Sequence, residues 1–398
     1  MDRRWLALAI IFASFIQFTL NWFAIIPMFP NVLADLGLSP LQLGGIVSAF
    51  IAGYGIFHLP AGILAERWGM RRALLAGIAI EAAGALLSAA TQSYGLMLAA
   101  RFVCGVGGSI YIGSAVGLTT AWFRDRYLAT ANGLVTGVAF SLGAAIGLFG
   151  WGVLAAHVGW RVAIALGAGV SALTFAALIP LYPEPPAQRD QSGHGPQHSM
   201  ASLRRVVTAA PLWVMSAAFL GGYGSYFSAT ALLPRYAEQH AGASPAAAHM
   251  LGATMLLSGI VGSFLGGWLS DKVLGMVPTF LIGCAIEAAA LFSVPFLDLN
   301  MLPVAAGLIG MGTIMAFVTW IGLPGLLPQQ LRGIDIPSAA GLMLTVVALG
   351  GVAIPPLYAT VSEHYGSAAG WLLEAALGIG FSLLSLLVRL RQTTLAAA

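Results

Sequence analysis

Gly62-Ile-Leu-Ala-Glu66-Arg67-Trp-Gly69-Met-Arg71-Arg72 stands between two long apolar segments, and a worn copy, Gly267-Trp-Leu-Ser-Asp271-Lys272, returns 205 residues later in the same setting. The surroundings repeat as well. Gly77-Ile-Ala-Ile-Glu81-Ala-Ala matches Gly283-Cys-Ala-Ile-Glu287-Ala-Ala, Gly37-Leu-Ser-Pro40 matches Gly242-Ala-Ser-Pro245, and Ala131-Asn-Gly133-Leu matches Ala339-Ala-Gly341-Leu. The offset stays between 205 and 208. A near-constant offset over most of a chain means two copies of one unit, running in the same direction.

Of the 398 residues, 59% are hydrophobic and 8% charged, where a soluble chain carries about a quarter charged. A soluble core cannot hide that much apolar surface, so lipid is the solvent for most of the chain. A bilayer crossing needs roughly 20 helical residues. Twelve such segments are expected, near 6–29, 41–64, 73–91, 95–121, 129–154, 160–181, 208–234, 247–270, 278–297, 301–327, 337–361 and 368–390. The alternation of barrel strands is missing from them. In a membrane protein, parallel repeats related by an axis along the membrane normal point to a transporter that rocks its halves about a central site. The first segment has a basic flank, Arg3 and Arg4, but is too long for a signal peptide and is expected to be retained.

The net charge of +3 follows topology rather than nucleic-acid binding. If the N-terminus is cytoplasmic, fourteen Arg and Lys residues fall at cytoplasmic ends and loops, and two, Arg161 and Arg235, at the outer ends. That bias places both termini in the cytoplasm, with the chain multi-pass in the cell inner membrane. The Pro- and Gly-rich stretch within 183–205 divides six spans from six: an N-terminal bundle (1–182), a cytoplasmic linker (183–205) and a C-terminal bundle (206–398). His194 and His198 in that linker stand without other ligands, so no metal site is expected. Cys104 and Cys284 fall inside spans and are expected to be small core residues. The 50 glycines exceed the roughly 28 of average usage, which suits helices that approach closely in lipid. Pro27, Pro60, Pro324, Pro355 and Pro356 should kink or interrupt their spans.

These residues resemble the major facilitator superfamily (MFS), whose signature loop between the second and third helices reads roughly Gly-x-Leu-Ala-Asp-Arg-x-Gly-Arg-Arg. Gly62, Leu64, Ala65, Arg67, Gly69, Arg71 and Arg72 match it, with Met70 as one extra residue and Glu66 where the family has Asp. The second copy keeps Gly267, Leu269, Asp271 and Lys272. Arg101-Phe-Val-Cys-Gly105-Val-Gly107 resembles the fourth-helix motif. The resemblance implies an all-α membrane protein of twelve transmembrane helices in two six-helix bundles. It also implies that Gly62, Glu66, Arg67, Gly69, Arg71, Arg72, Asp271 and Lys272 form a cytoplasmic gate, an acid beside arginines that latches the mouth against the start of the eleventh span near Ser338, or against the 124–126 loop, when the cavity opens outward. Replacing Glu66 by Gln is then expected to loosen the mouth. The alternative is that the arginines only set topology.

The resemblance places spans 1, 4, 7 and 10 around a central cavity. Substrate-binding candidates are Gln17 and Asn21 (four apart on span 1), Tyr54 on span 2, Arg101 on span 4, Tyr226 on span 7, and Thr313 and Trp320 on span 10. Arg101 is the basic residue expected inside the membrane, where a charge costs several kcal/mol. It can contact substrate or tie helices through backbone carbonyls. Glu81 and Glu287 hold equivalent positions in peripheral spans; with His58 they are the coupling candidates, helix–helix hydrogen bonding being the other role for the two acids.

The middles of spans 1, 4, 7 and 10 hold no acid, the fifth span lacks the Gly-Pro signature of many drug antiporters, and spans 2, 8 and 11 lack the arginines of carboxylate and nitrate carriers. The expectation is a secondary active transporter that moves a small organic anionic or neutral solute by alternating access, with ion or proton coupling. A proton-driven efflux pump for drugs or metabolites is the alternative. An enzyme is not expected, since no nucleophile with its base, metal cluster or phosphate loop is present. A sensor is not expected either. No cofactor is implied; the expected partners are the solute, a co-transported proton and the bilayer, for a monomeric chain.

Overall fold

The computed structural model describes residues 3–38, 40–183, 200–327 and 329–388. Most of the linker, with His194 and His198, lies outside the described residues. Among those described, long helices follow one another: α1 (Arg3–Phe23), α2 (Pro40–Trp68), α3 (Met70–Ala90), α4 (Tyr94–Phe123), α5 (Leu128–Val158) and α6 (Trp160–Leu181). After a short helix, Met200–Thr208, come α7 (Ala210–His240), α8 (Pro245–Lys272), α9 (Met276–Ser293), α10 (Leu302–Trp320), α11 (Ile336–Tyr365) and α12 (Ser367–Ser382). No strand occurs among the described residues. Eleven helical runs are long and apolar enough to cross a membrane, and a twelfth span results if Ala201–Thr208 and Ala210–His240, bent by 51°, count as one.

The helices are apolar nearly all round, as lipid requires. Leu173, Val153, Phe296 and Leu349 stay exposed on the protein surface. Pro27 and Pro324 fall in 3₁₀ turns that break the helical runs after α1 and α10. Pro60, Pro355 and Pro356 are instead carried inside α2 and α11. α5 contains two π-helical stretches, Gly133–Ala139 and Ile146–Gly150.

Contacts divide the chain into two compact units. The first draws its described residues from Met1–Phe123, Ala139–Val206 and Leu331–Leu342, the second from Arg124–Val138, Val207–Gln330 and Met343–Ala398. The first therefore includes the opening turns of α11, and the second includes the opening turns of α5.

The repeat is written into the backbone. All six glycines with positive φ among the described residues form three pairs: Gly37 and Gly242 (62° and 68°), Gly69 and Gly275 (87° and 79°), Gly159 and Gly366 (82° and 88°). Each sits at a turn that only glycine enters without strain. Close helix approach repeats too. In the first unit, a Cβ added to Gly77 would stand 2.7 Å from Tyr111 N, and one on Gly107 2.5 Å from Glu81 N. In the second, a Cβ on Gly283 would stand 2.7 Å from Ala316 N, and one on Gly312 2.7 Å from Glu287 N. These four glycines bring α3 to α4 and α9 to α10 at backbone distance, the packing that drives helix association in lipid.

Candidate functional site

In the first unit, Gly69 turns the chain from α2 into α3. About two helical turns before Gly69, a Cβ on Gly62 would lie 2.5 Å from both Pro337 O and Ser338 Cα, so α2 touches the backbone at the start of α11. Glu66 is 8% exposed at the end of α2. Ser202 Oγ, from the helix Met200–Thr208, lies 2.7 Å from Glu66 Oε2 and 2.6 Å from Asp335 Oδ1. Asp335, fully buried, accepts from Arg205 Nε (2.8 Å) and Arg205 Nη2 (2.7 Å), and from the Arg332 backbone N–H (2.8 Å). The arginines of the signature loop are elsewhere: Arg71 Nη2 donates to the Ile179 carbonyl of α6, and Arg67 and Arg72 are exposed.

The second copy joins differently, inside the second unit. Asp271 accepts from the N–H groups of Ala129 (3.1 Å) and Thr130 (2.7 Å) and from the Thr130 hydroxyl (2.6 Å). These donors lie in the first turn of α5, where the helix dipole favours an anion. Lys272 Nζ stands 4.7 Å from the Tyr127 ring centre, and the Arg126 guanidinium stands 4.6 Å from it. Tyr127 has φ of 66°, a conformation that costs a bulky residue free energy. Arg124 donates Nε to the Gly325 carbonyl at 3.1 Å. Burial pulls its guanidinium below the usual range, and Asp125 acts the other way.

At mid-helix in the first unit, the amides of Gln17 and Asn21 are turned to α3 and α6. Gln17 Nε2 donates to Glu81 Oε2 (2.9 Å) and Ser171 Oγ (2.7 Å). Asn21 Nδ2 donates to Ser171 Oγ (2.6 Å) and the Gly167 carbonyl (3.2 Å). Arg101 is 5% exposed. Its Nη2 donates to the Trp22 carbonyl at 3.1 Å, in the last turn of α1, where a cation meets the negative end of the helix. Its guanidinium stands 4.8 Å from the Phe50 ring centre, a cation–π contact. Among the described residues no carboxylate lies within ion-pair distance of it. Tyr54 shares the same aromatic cluster, 5.9 Å from Phe50 and 4.8 Å from Trp22, and His58 meets the Tyr54 ring edge-on at 4.2 Å. His58 Nδ1 also pairs with Ser109 Oγ at 3.0 Å. Arg101, Tyr54 and His58 thus gather on one aromatic wall.

The second unit holds the other candidates. Trp320 is fully buried, donates Nε1 to the Met215 carbonyl at 2.8 Å, and packs against Phe219 and Phe317. Thr313 donates to its own helix at Ile309 O, 2.8 Å away. Tyr226 is 6% exposed, and among the described residues its hydroxyl makes no well-formed hydrogen bond. Glu287 reaches α7, its Oε2 2.8 Å from where a Cβ on Gly222 would stand. Glu287 and a second acid, Glu374 of α12, are fully buried; Thr313 and Ser228 are the hydroxyls beside them, and neither acid makes a well-formed hydrogen bond among the described residues. Glu374 escapes attention in the sequence, although Glu374-Ala-Ala echoes Glu81-Ala-Ala and Glu287-Ala-Ala. Ser202, Arg205 and Asp335 carry no motif at all.

A profile described as Major Facilitator Superfamily matches residues 10–355. This chain belongs to that superfamily: it is a multi-pass membrane transporter, not an enzyme. The chain is 28% identical over 171 residues to the puromycin resistance protein pur8 of Streptomyces alboniger, covering 43% of this chain and 34% of that protein. It is 25% identical over 359 residues to the probable sulfoacetate transporter SauU of Cupriavidus necator, covering 85% and 82%. Its fold matches the MFS transporter FucP in the outward conformation, with a TM-score of 0.79 and 19% identity over 97% of this chain and 99% of that one.

Proposed function

We propose that this chain is a secondary active transporter of the inner membrane, with both termini in the cytoplasm, that carries a small organic anion or a neutral solute with a strong acceptor. Its two bundles, 1–182 and 206–398, joined by the linker 183–205, would work by alternating access with ion or proton coupling. The observation that carries this reading is Arg101. A buried cation with one carbonyl bond, one aromatic face and the Cys104 sulfur beside it still has N–H groups to satisfy, and among the described residues its Nε makes no hydrogen bond. An anionic group supplies what is missing, and the attraction strengthens as water leaves. Tyr54 and His58 beside it would complete the contact surface. Gln17 and Asn21, with their amides engaged by α3 and α6, fit a helix-tying role better. The similarity to SauU agrees with an anionic solute; the shorter match to pur8 keeps drug efflux as the second reading.

A thermal-shift screen of the purified protein tests this. A ligand that binds the folded state raises its stability. Carboxylates and sulfonates are expected to stabilise the wild type, and Arg101→Lys less so. Stabilisation by cationic drugs alone would replace this reading with the efflux one.

A further inference from the structure

The end of α2, the helix Met200–Thr208 and the turn before α11 meet in a chain of three side-chain oxygens. Ser202 Oγ stands 2.7 Å from Glu66 Oε2 and 2.6 Å from Asp335 Oδ1. Both are distances of well-made O–H···O bonds. A serine hydroxyl has one proton to donate, and an ionised carboxylate has none. Two such bonds to one hydroxyl therefore contain two protons, one of which belongs to a carboxyl group.

The surroundings decide which carboxyl. Asp335 receives both arms of the Arg205 fork and the Arg332 N–H, three donors that suit an anion. Glu66 has no such set: beside Ser202 it has the neutral Ser338 hydroxyl, and its Oε1 is buried with no well-made hydrogen bond among the described residues. Of the other charges nearby, Arg67 of α2 and Arg72 of α3 are exposed, Arg71 is turned to Ile179, and Arg204 of the helix Met200–Thr208 is exposed. From α11 the Ser338 hydroxyl faces Glu66, a neutral group that can donate to the acid or accept from it. The charges that act on Glu66 are Asp335 and Arg205, opposite in sign.

We infer that Glu66, Ser202 and Asp335 form a proton-binding site. The Glu66 carboxylic O–H donates to Ser202 Oγ, and the Ser202 O–H donates to ionised Asp335. Loss of the proton leaves two anions about one hydroxyl, so the Glu66–Ser202 bond breaks and α2 parts from the helix Met200–Thr208. The join holds a proton when made and releases it when it opens. One consequence reverses the expectation from sequence. In Glu66→Gln the carboxamide N–H donates to Ser202 as the acid did, so the join holds at every pH. That gating consequence rests on the signature loop being a latch; the proton count does not.

Two measurements on the full-length protein separate them. Infrared difference spectra between wild type and Glu66→Gln are expected to show the loss of one protonated-carboxyl C=O band. Loss of an ionised-carboxylate band instead overturns the proton site. If Glu66→Gln does not fold, Ser202→Ala carries the test: removing the hydroxyl shifts the same acid band, and an unshifted band overturns the site. Hydrogen exchange in residues 200–208, corrected for intrinsic rate, reads the latch. Protection is expected to fall from mildly acid to mildly alkaline pH in wild type and to stay high throughout in Glu66→Gln. A pH-independent wild type overturns the latch and leaves the proton site to the infrared result.

Discussion

At the signature-loop end, Asp271 of the second copy rests on two backbone N–H groups and a hydroxyl, whereas Glu66 of the first meets a serine shared with another carboxylate. The same divergence runs through the membrane. Gln17, Glu81 and Ser171 make a hydrogen-bonded set in the first unit, near Arg101. The residues at the matching offsets in the second are Gly222, Glu287, Gly378 and Ala306, and a second acid, Glu374, stands one helical turn before Gly378. There the two acids have only the hydroxyls of Thr313 and Ser228 beside them and, among the described residues, no cation within ion-pair distance. What both copies keep is the backbone: paired positive-φ glycines and paired glycines at the helix contacts. The fold constrains the small residues, since a Cβ there would collide with backbone. Polar positions are free to part, and the first unit has kept a cation where the second has alanine.

The largest expected effect removes that asymmetry. Arg101→Ala should abolish uptake of whichever solute stabilises the protein, at normal expression. Arg101→Lys keeps the charge but loses the planar fork, so uptake should fall while the protein stays folded. Uptake and ligand-induced stabilisation unchanged in Arg101→Ala would leave Arg101 as a cap on the last turn of α1 and nothing more.

Next comes Asp271→Asn, which removes the charge from three hydrogen bonds. Bonds to charged groups contribute about 1.5–3 kcal/mol each and do not add fully, so a loss of about 2–3 kcal/mol is expected. Denaturation and hydrogen exchange in residues 128–138 would read it. Glu66→Gln, at the matching position, should leave its join intact. Equal loosening in the two variants would mean that both acids are ionised, and the contrast between the copies would fall.

Gly62→Ala and Gly267→Ala probe the shared backbone. Overpacking costs about 1–3 kcal/mol. The Gly62 variant should sit at the upper end, because its methyl would meet Pro337 O and Ser338 Cα at 2.5 Å, against 2.8 Å to Thr130 Cα for Gly267. A larger loss of thermal stability in Gly267→Ala than in Gly62→Ala would contradict this geometry.

The repeat could be read from the sequence because its carriers are local: a glycine that must take positive φ, or must admit another backbone, leaves a letter at a fixed offset. The family loop was legible for the same reason. Side-chain direction was not. Gln17 and Asn21 are four apart, which fixes a shared face but not which neighbours that face meets; they bond to α3 and α6. Trp320 likewise shares a face with Phe317, and its ring lies inside the second unit against Phe219. Ser202 and Asp335 are 133 residues apart and neither belongs to a motif. Their meeting is a tertiary fact, and only the proton count across the finished contact gives it meaning.

The smallest effect expected is at Glu287. Its partner in the repeat, Glu81, accepts a hydrogen bond from Gln17 and lies in the field of Arg101. Glu81→Gln weakens that bond and should cost about 1–1.5 kcal/mol. Glu287 offers nothing similar to lose. The hydroxyl beside it, Thr313, already donates to Ile309 O, and the acid it faces, Glu374, has only the Ser228 hydroxyl beside it. A buried carboxyl with no cation beside it is least costly when neutral. A carboxamide has the same shape, and its N–H groups can donate to Glu374. Glu287→Gln should therefore change thermal stability by under about 1 kcal/mol. A loss as large as that of Glu81→Gln would show an ionised Glu287 with a cation to hold it, and the second copy would then be as polar as the first.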